Sequence, residues 1–528
     1  MTKEFWSKYI EIVPQGNLSV YETERTETAP DKLLELSKRF EVGGKIKPTD
    51  DMSVILQKRK VLALYNNTGA FFYGDFSKLH NHQYRPELPS KEEATEIATD
   101  YLKTNKWMPE NLVLDGAYEN LFERAEGEKR EKKTEWTNSI SVDFRYSLDK
   151  LKTYGPGAKV KVSLGHKGEV IGFFGAMPSF FRHAEFPALS REELEEILHW
   201  KLRFPLKNIG IRDVKLAYHA ESCVRWRRFL QPTYVFEITS TIEDTREKRK
   251  QKVNCELHPI PATMFAPRVS IKAPSYRIQT KSGEPLTLSY DVRGGNPPFK
   301  ASWESNFDGH LSDEHVLNTR ELSVAHRDGR VTSHTIKLTV TDRLGMQDSH
   351  KVLVKVVPSG EEGLQAKTQV QQEPEDPFVG VEWCNIYHGF LADISGTDDS
   401  AQGFKDRIRS LPNWTSRFDW GNDSAWEQDF KYATAPGGGT DSYYADNIHF
   451  AFFAGHGSSG RFYFGSTVDD HIMRAQDAQW GDGSLNWVVL HACETMRSNF
   501  AWDVWCDAFK GLHQMFGFHT TTQGSTPP

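Results

Sequence analysis

The chain has 528 residues, of which 38% are hydrophobic and 26% are charged, and its formal net charge is −7. This length is too great for one hydrophobic core and indicates three or four domains. The acidic balance gives no reason to expect a nucleic-acid partner. The N-terminus lacks the apolar segment of a secretory leader, and no apolar run reaches the roughly 18 residues of a membrane span. These features predict a soluble, cytoplasmic protein with no membrane or nucleic-acid partner.

The cysteines are odd in number, lie far apart and include no CxxC pair. This pattern disfavours a disulfide framework and a structural zinc site. We therefore expect reduced thiols, no metal and no cofactor, and one of the thiols could serve as a nucleophile. The cysteines are Cys223, Cys255, Cys384, Cys493 and Cys506.

Residues 1–265 are predicted to form an α+β region in which one pattern occurs twice. A hairpin is followed each time by a helix that opens with Ser and has Glu three residues later, at Ser90 and at Ser190. The arrangement resembles two PepSY-like modules, which are usually inhibitory or protein-binding. The predicted hairpin strands are Val61–Tyr65, Ala70–Tyr73, Ala158–Leu164 and Glu169–Phe174.

A basic stretch at residues 245–252 lies between Tyr234–Ile238 and Val253–Leu257, which alternate apolar and polar residues. Alternation of this kind predicts strands, so an exposed hairpin loop is favoured over a nucleic-acid or lipid patch. Residues 268–357 are predicted to be all-β, and their strands and turns resemble PKD-type or immunoglobulin-like sandwiches. Residues 358–377 are polar and acidic, as expected of a linker.

Residues 378–528 alternate predicted strands and helices, which favours an α/β domain with a mainly parallel sheet. In such sheets, functional groups gather at the carboxyl ends of the strands. The predicted strands are Phe378–Ile386, Asn447–Ala454, Leu485–Leu490 and Gly517–Thr522, and helices are predicted near 400–410 and over Trp502–Phe516.

Two of these strands end in residues that suggest chemistry. Asn447–Ala454 runs into Gly455, His456 and Gly457, and Leu485–Leu490 runs into His491, Ala492 and Cys493. Adjacent strands would place the imidazole beside the thiol, where it can assist a nucleophilic sulfur and protonate a leaving amine. Gly457 permits a sharp turn, and its amide, with that of Cys493, could stabilise an oxyanion.

The segments FFAGHG and VVLHACET resemble the signature of the caspase-like cysteine peptidases, which include caspases, legumains and gingipains. The resemblance covers residues 378–528 and implies that His456 is the catalytic histidine, Cys493 the nucleophile and Gly457 an oxyanion donor. The caspase pentapeptide is absent, and the Glu-Thr after Cys493 is closer to the legumain pattern. Asn385 is the candidate substrate-pocket residue. Asp393, Asp398 and Asp399 could line a pocket for a basic side chain, but a solvated loop is the favoured interpretation.

Three functions follow from these features. The leading hypothesis is an endopeptidase that acts on peptides or proteins through the Cys493–His456 pair. A peptide ligase or cyclase would use the same acyl-enzyme, with an amine in place of water. In the third hypothesis the chain is a binding protein whose C-terminal domain is not a peptidase. In each case the N-terminal modules could regulate the C-terminal domain within the same chain.

Overall fold

The structure is a computed structural model that describes residues 16–26, 30–49, 52–79, 81, 83–126, 132–202, 209–220, 223, 226–244, 246, 248–257, 259–275, 277–359, 377–388, 391–466, 468, 470–497 and 501–521. Most of the predicted linker 358–377 lies outside these residues. The chain divides into two compact units, one of residues 17–186 with 216–234 and the other of residues 1–16, 187–215 and 235–528. No helix in the described part of the chain is both long enough and apolar enough to cross a membrane.

The N-terminal half is rich in strands. Its strands are β1 Asn17–Thr23, β2 Ile46–Pro48, β3 Met52–Gln57, β4 Lys60–Tyr65, β5 Phe71–Asp75, β6 Leu112–Glu126, β7 Lys132–Leu148, β8 Leu151–Tyr154, β9 Lys159–Leu164, β10 Val170–Ala176, β11 Phe180–Pro187, β12 Ile209–His219, β13 Phe229–Leu230, β14 Pro232–Asp244, β15 Arg249–Glu256 and β16 Ile260–Pro261. Its helices are α1 Pro30–Arg39, α2 Phe76–Leu79, α3 Lys91–Thr104 and α4 Arg191–Leu202.

The predicted hairpin-then-helix pattern is present in both places. β4 pairs antiparallel with β5, and β9 pairs antiparallel with β10. Ser90 accepts a hydrogen bond from the Glu93 amide at 3.1 Å, and the Glu93 carboxylate accepts one from the Ser90 amide at 2.8 Å. Ser190 and Glu193 make the same two bonds at 3.2 Å and 2.8 Å. Both predicted capping boxes are therefore confirmed, whereas the PepSY-like identity of the modules stays a prediction.

The predicted all-β module is confirmed as a two-sheet sandwich. One sheet has the order β17–β19–β22 and the other the order β18–β26–β25–β20–β21. Alternating side chains from both sheets fill its core, with Trp303 and Leu338 fully buried. The strands are β17 Arg268–Lys272, β18 Arg277–Lys281, β19 Leu286–Arg293, β20 Lys300–Ser305, β21 Gly309–Ser312, β22 Val316–Thr319, β23 His326–Arg327, β24 Arg330–Val331, β25 Ser333–Thr341 and β26 Gln347–Val357.

The C-terminal region contains the predicted parallel sheet. Its elements are β27 Phe378–Trp383, α5 Thr397–Arg409, β28 Thr415–Gly421, β29 Phe450–Ser458, β30 Arg461–Tyr463, β31 Ile472–Arg474, β32 Trp487–Ala492, α6 Ala501–Trp505 and β33 Gln514–Phe516. The sheet order is β28–β27–β29–β32–β33, and every one of these pairs is parallel. After β27 the chain adds β28 on one side of it and then β29, β32 and β33 on the other side. The boundary between β27 and β29 is therefore a topological switch point, where ligands bind in open α/β sheets.

Both faces of this sheet are covered. Phe404 of α5 stacks on Phe452 on one face, at a ring separation of 4.5 Å. On the other face, a buried cluster includes Phe453, Trp480 and Trp505. Burial on both faces explains why the central strands read as continuous apolar runs in the sequence.

Two predicted elements near the end of the chain are wrong. The predicted helix over Trp502–Phe516 is replaced by the short α6, a single 3-10 turn at Cys506–Ala508 and β33, and the described part of the predicted strand Gly517–Thr522 is not a strand. The amides of Lys510 and Leu512 both donate to the Trp480 carbonyl, at 2.9 Å and 3.2 Å. A Cβ on Gly511 would lie 2.0 Å from the Gly481 carbonyl oxygen. This close backbone contact fixes an irregular segment where local apolar spacing predicts a helix.

An arginine from the short hairpin β23–β24, which belongs to neither sandwich sheet, is buried in the C-terminal region. Arg327 of β23 forms an ion pair with Asp429, and its guanidinium lies 3.7 Å from the carboxylate of Glu382. Its carbon centre lies 4.2 Å from the ring of Trp426 and 4.9 Å from that of Tyr444. Burial and the neighbouring Asp429 raise the pKa of Glu382 well above its usual value. The charged pair and the aromatic rings together tie the sandwich to the sheet domain.

Candidate active site

The histidine and the cysteine follow two adjacent parallel strands. In the register of β29 and β32, Ala454 pairs with His491 and Gly455 pairs with Ala492. His456 and Cys493 are the next residues along the two strands, so both follow the last paired residues at the same edge of the sheet. Their exposed fractions are 1% and 3%. The structure thus brings the two predicted residues to one buried location.

Backbone and hydroxyl contacts orient His456. Its ring nitrogen Nε2 lies 2.7 Å from the carbonyl oxygen of Ala392, and its amide donates to the Tyr387 hydroxyl at 2.8 Å. The Tyr387 ring also packs on the imidazole, with centroids 4.6 Å apart. A carbonyl oxygen only accepts hydrogen bonds, so Nε2 must carry the proton. Nδ1 is then a lone-pair acceptor, and it makes no hydrogen bond within the described part of the chain.

The imidazole is neutral at physiological pH. Burial lowers the pKa of His456 to about 4, and the bond to the Ala392 carbonyl offsets this only in part. A neutral ring with its proton on Nε2 can accept a proton at Nδ1. The lone pair at Nδ1 is the position where a proton could be taken up, but the burial that lowers the pKa of His456 makes the ring a weak base while the site is closed.

Gly457 is required by close packing and not by the sharp turn that the sequence suggested. It lies inside β29, which continues beyond the predicted end at Ala454 to Ser458 and then pairs antiparallel with β30. A Cβ at Gly457 would lie 2.6 Å from the Cys493 carbonyl oxygen and 2.8 Å from the Ala492 Cβ. The absence of a side chain allows the two strand ends to approach each other at this point.

The backbone turns sharply just after Cys493. Glu494 has a φ of 57°, which is the left-handed region that non-glycine residues rarely adopt. Its amide donates to the Thr520 carbonyl at 3.0 Å, and the Trp505 indole donates to the Thr495 carbonyl at 2.8 Å. These bonds hold the left-handed turn that directly follows the Cys493 thiol.

Asn385 lies near the switch point, but its side chain is bonded to the first residues of α5. The amide donates to Asp398 at 2.9 Å, and the oxygen accepts from the amide and the hydroxyl of Thr397 at 3.2 Å and 2.5 Å. A substrate contact would have to replace these bonds. The role of Asn385 in a pocket stays a prediction.

The three aspartates considered for a basic pocket lie in different surroundings. Asp393 accepts a bond from the Tyr387 amide at 2.9 Å and so supports the residue that holds His456. Asp398 lies 2.7 Å from the Lys351 ammonium group. Burial alone would raise the pKa of Asp398, but Lys351 and Lys337 lower it well below its usual value. The side chain of Asp399 is mostly exposed and lies 3.3 Å from Lys337.

No group of three or more His, Cys, Asp and Glu side chains in the described residues could hold a metal ion. Four of the five cysteines (Cys223, Cys384, Cys493 and Cys506) carry reduced thiols, and the side chain of Cys255 lies outside the described residues. Burial raises the pKa of the Cys384 thiol far above its usual value. Cys384 is therefore a poor nucleophile in this arrangement.

The sequence did not identify the two groups that orient His456. Tyr387 follows β27 closely, and its position just past the carboxyl end of a central strand was the available signal. The Ala392 contact is made by a backbone carbonyl, for which no residue type gives a signal.

Residues 381–526 match the family model of DUF6345, which is described as a domain of unknown function. No curated protein matches the chain. Among solved structures, an uncharacterized protein from Eubacterium rectale ATCC 33656 is 10% identical at a TM-score of 0.29, over 46% of this chain and 84% of that one. The fibronectin(III)-like modules of Clostridium thermocellum CbhA are 9% identical at a TM-score of 0.16, over 31% of this chain and 86% of that one. Likenesses at this level indicate no activity.

Proposed function

We propose that the C-terminal domain is a cysteine endopeptidase of the caspase-like type, with Cys493 as its nucleophile and His456 as its proton acceptor. One observation carries the proposal: both residues directly follow the paired segment of two adjacent parallel strands, and a carbonyl holds the imidazole with Nδ1 unbonded. The fixed tautomer, the left-handed residue after the thiol and the close approach of Gly457 add support.

The chemistry would proceed in two steps. The Cys493 sulfur attacks the carbonyl carbon of the scissile peptide while its proton passes to Nδ1 of His456. The amides of Gly457 and Cys493 are the candidate donors to the resulting oxyanion. The imidazolium then gives the proton to the leaving amine, and a thioester remains on Cys493. Water attacks the thioester, releases the acid product and returns the thiol.

The proposed pair is closed to substrate in this arrangement. Exposed fractions of 1% and 3% leave no room for a peptide at His456 and Cys493. Activity therefore requires a movement that uncovers them. A latent state also agrees with the low pKa of His456, because the same burial that excludes substrate disfavours the imidazolium.

The test is mass spectrometry of a pooled peptide library after incubation with the full chain. Cys493→Ala removes the proposed nucleophile, and Cys506→Ala is the matched control, since Cys506 is also 3% exposed. We expect cleaved peptides with the native protein, through the minor population in which the site is uncovered, and with Cys506→Ala, and none with Cys493→Ala. Cleavage that survives Cys493→Ala would contradict the proposal.

The same experiment separates the alternatives. Joined or cyclised products that depend on Cys493 would indicate that an amine replaces water, which is the ligase alternative. Unchanged peptides with every variant, including variants that expose Cys493, would favour a binding protein without peptidase activity.

A further inference from the structure

A β-hairpin from the N-terminal half packs against the sheet that carries the candidate active site. β14 and β15 pair antiparallel, with Ser240 opposite Val253 and Ile242 opposite Gln251. Val253 and Ile242 are 1% and 7% exposed and belong to the same buried cluster as Phe453 and Ala492 of the C-terminal sheet. Residues 235–244, 246 and 248–256, called the cover hairpin below, thus bury one face against the domain that carries the proposed nucleophile.

The opposite face of the cover hairpin is polar, and toward the tip it is exposed. Thr241, Glu243 and Lys252 on its two strands are exposed. An amphipathic hairpin of this kind needs its apolar face covered, and the C-terminal domain supplies that surface.

Polar contacts fix the cover hairpin at two places. Near the site, the Asn254 amide donates to the carboxylate of Glu494 at 3.4 Å, and Glu494 directly follows Cys493. At the tip, the Arg246 guanidinium makes two bonds to the Asp477 carboxylate, at 2.9 Å and 3.2 Å. It also lies 3.8 Å from Asp470. Paired bonds of this type combine charge with a fixed geometry.

The acceptors of Arg246 lie beside the hairpin that extends the histidine strand. Asp470 and Asp477 flank β31, which pairs with β30, and β30 pairs with residues 456–458 of β29. The Asp477 side chain is only 2% exposed. The cover hairpin is therefore attached both next to Cys493 and next to the strands that continue from His456.

We propose that the cover hairpin is a built-in, removable cover of the Cys493 site, and that the Arg246–Asp477 pair is the latch that keeps it closed. The idea that the cover hairpin regulates catalysis rests on the proposed function. The idea that it shields the Cys493 thiol does not depend on that function. Opening of the hairpin would expose Cys493 and would restore water to the surroundings of His456. The partner that the C-terminal domain recognises is in this case a segment of its own chain.

The test is the rate at which a small alkylating reagent labels each cysteine of the full chain, followed by peptide mass spectrometry. Arg246→Ala removes the latch, and Asp477→Asn weakens it from the other side. Lys252→Ala is the matched control, because Lys252 is an exposed cation of the same hairpin. We expect the latch variants to label Cys493 at least about tenfold faster than the native chain, and Lys252→Ala to match the native chain.

Cys506 is an internal reference because it is buried to the same 3% as Cys493. Equal acceleration at both cysteines would mean that the domain unfolds as a whole, and would overturn the cover proposal. An unchanged Cys493 rate in both latch variants would overturn it as well. Faster labelling of Cys493 without any peptide cleavage would uphold the cover and contradict the peptidase. Cleavage that depends on Cys493, with equal labelling rates in all variants, would uphold the peptidase and contradict the cover.

Discussion

The buried neutral state of His456 has a consequence for stability that can be measured. The pKa of this imidazole falls from its ordinary value of 6.5 to about 4 because burial disfavours its charged form. The unfolded chain therefore binds a proton at a pH where the folded chain does not. Stability from this group is fully present above the unfolded pKa and is lost as the pH falls toward the folded pKa.

The size of the effect follows from the two pKa values. Between about pH 7.5 and about pH 5 the unfolded imidazole becomes mostly protonated while the folded one stays neutral. The linkage relation gives a loss of about 2 kcal/mol in the free energy of unfolding over this interval. His456→Gln keeps a side-chain amide that can donate a hydrogen bond, but this side chain does not titrate. The variant should therefore not show this decrease in the free energy of unfolding.

The assay is urea unfolding of the native chain and of His456→Gln at a series of pH values, followed by tryptophan fluorescence. Other carboxylates titrate in both proteins, so only the difference between the two curves matters. As the pH falls from about 7.5 to about 5, we expect the free energy of unfolding of His456→Gln to rise by about 2 kcal/mol relative to that of the native chain. Parallel curves would show that the pKa of His456 is the same in the folded and the unfolded chain. A change of opposite sign would indicate a thiolate–imidazolium pair, in which the pKa of His456 is raised.

Three further predictions concern packing and hydrogen bonds, each measured by urea unfolding. Gly457→Ala forces β29 from β32 and should cost about 1–3 kcal/mol, whereas Gly210→Ala, which has space for a methyl group, should cost much less. Tyr387→Phe leaves the buried His456 amide without its acceptor and should cost about 1–3 kcal/mol. Arg327→Met leaves the buried Asp429 carboxylate without its ion-pair partner and should cost about 3–5 kcal/mol. Changes below about 0.5 kcal/mol would contradict the corresponding contact.

The sequence predicted those parts of the fold that depend on local pattern. Apolar runs located the strands that carry His456 and Cys493, because strands buried on both faces need apolar side chains throughout. The two Ser-x-x-Glu patterns located the starts of α3 and α4, because a capping box is made by residues within one turn. The residues that follow the two apolar runs are the ones that the parallel register brings together.

The parts that could not be predicted depend on contacts between distant segments. The cover hairpin reaches the C-terminal domain through Arg246 and Asn254, whose partners lie more than 200 positions further along the chain. Nothing in the local spacing of the basic stretch at 245–252 indicates those partners. The wrong helix over Trp502–Phe516 has the same origin, because the contact of Gly511 with Gly481 overrides a locally helical pattern.

The central claim is that Cys493 forms a thioester with substrate, and the direct measurement is acid-quenched peptide mapping after incubation with a peptide ester. The native chain and the opened Arg246→Ala variant should both be examined, together with His456→Gln. An acyl group is expected on Cys493, more of it in Arg246→Ala and little in His456→Gln. An acyl group on another cysteine, or none on Cys493 in the opened variant, would contradict it.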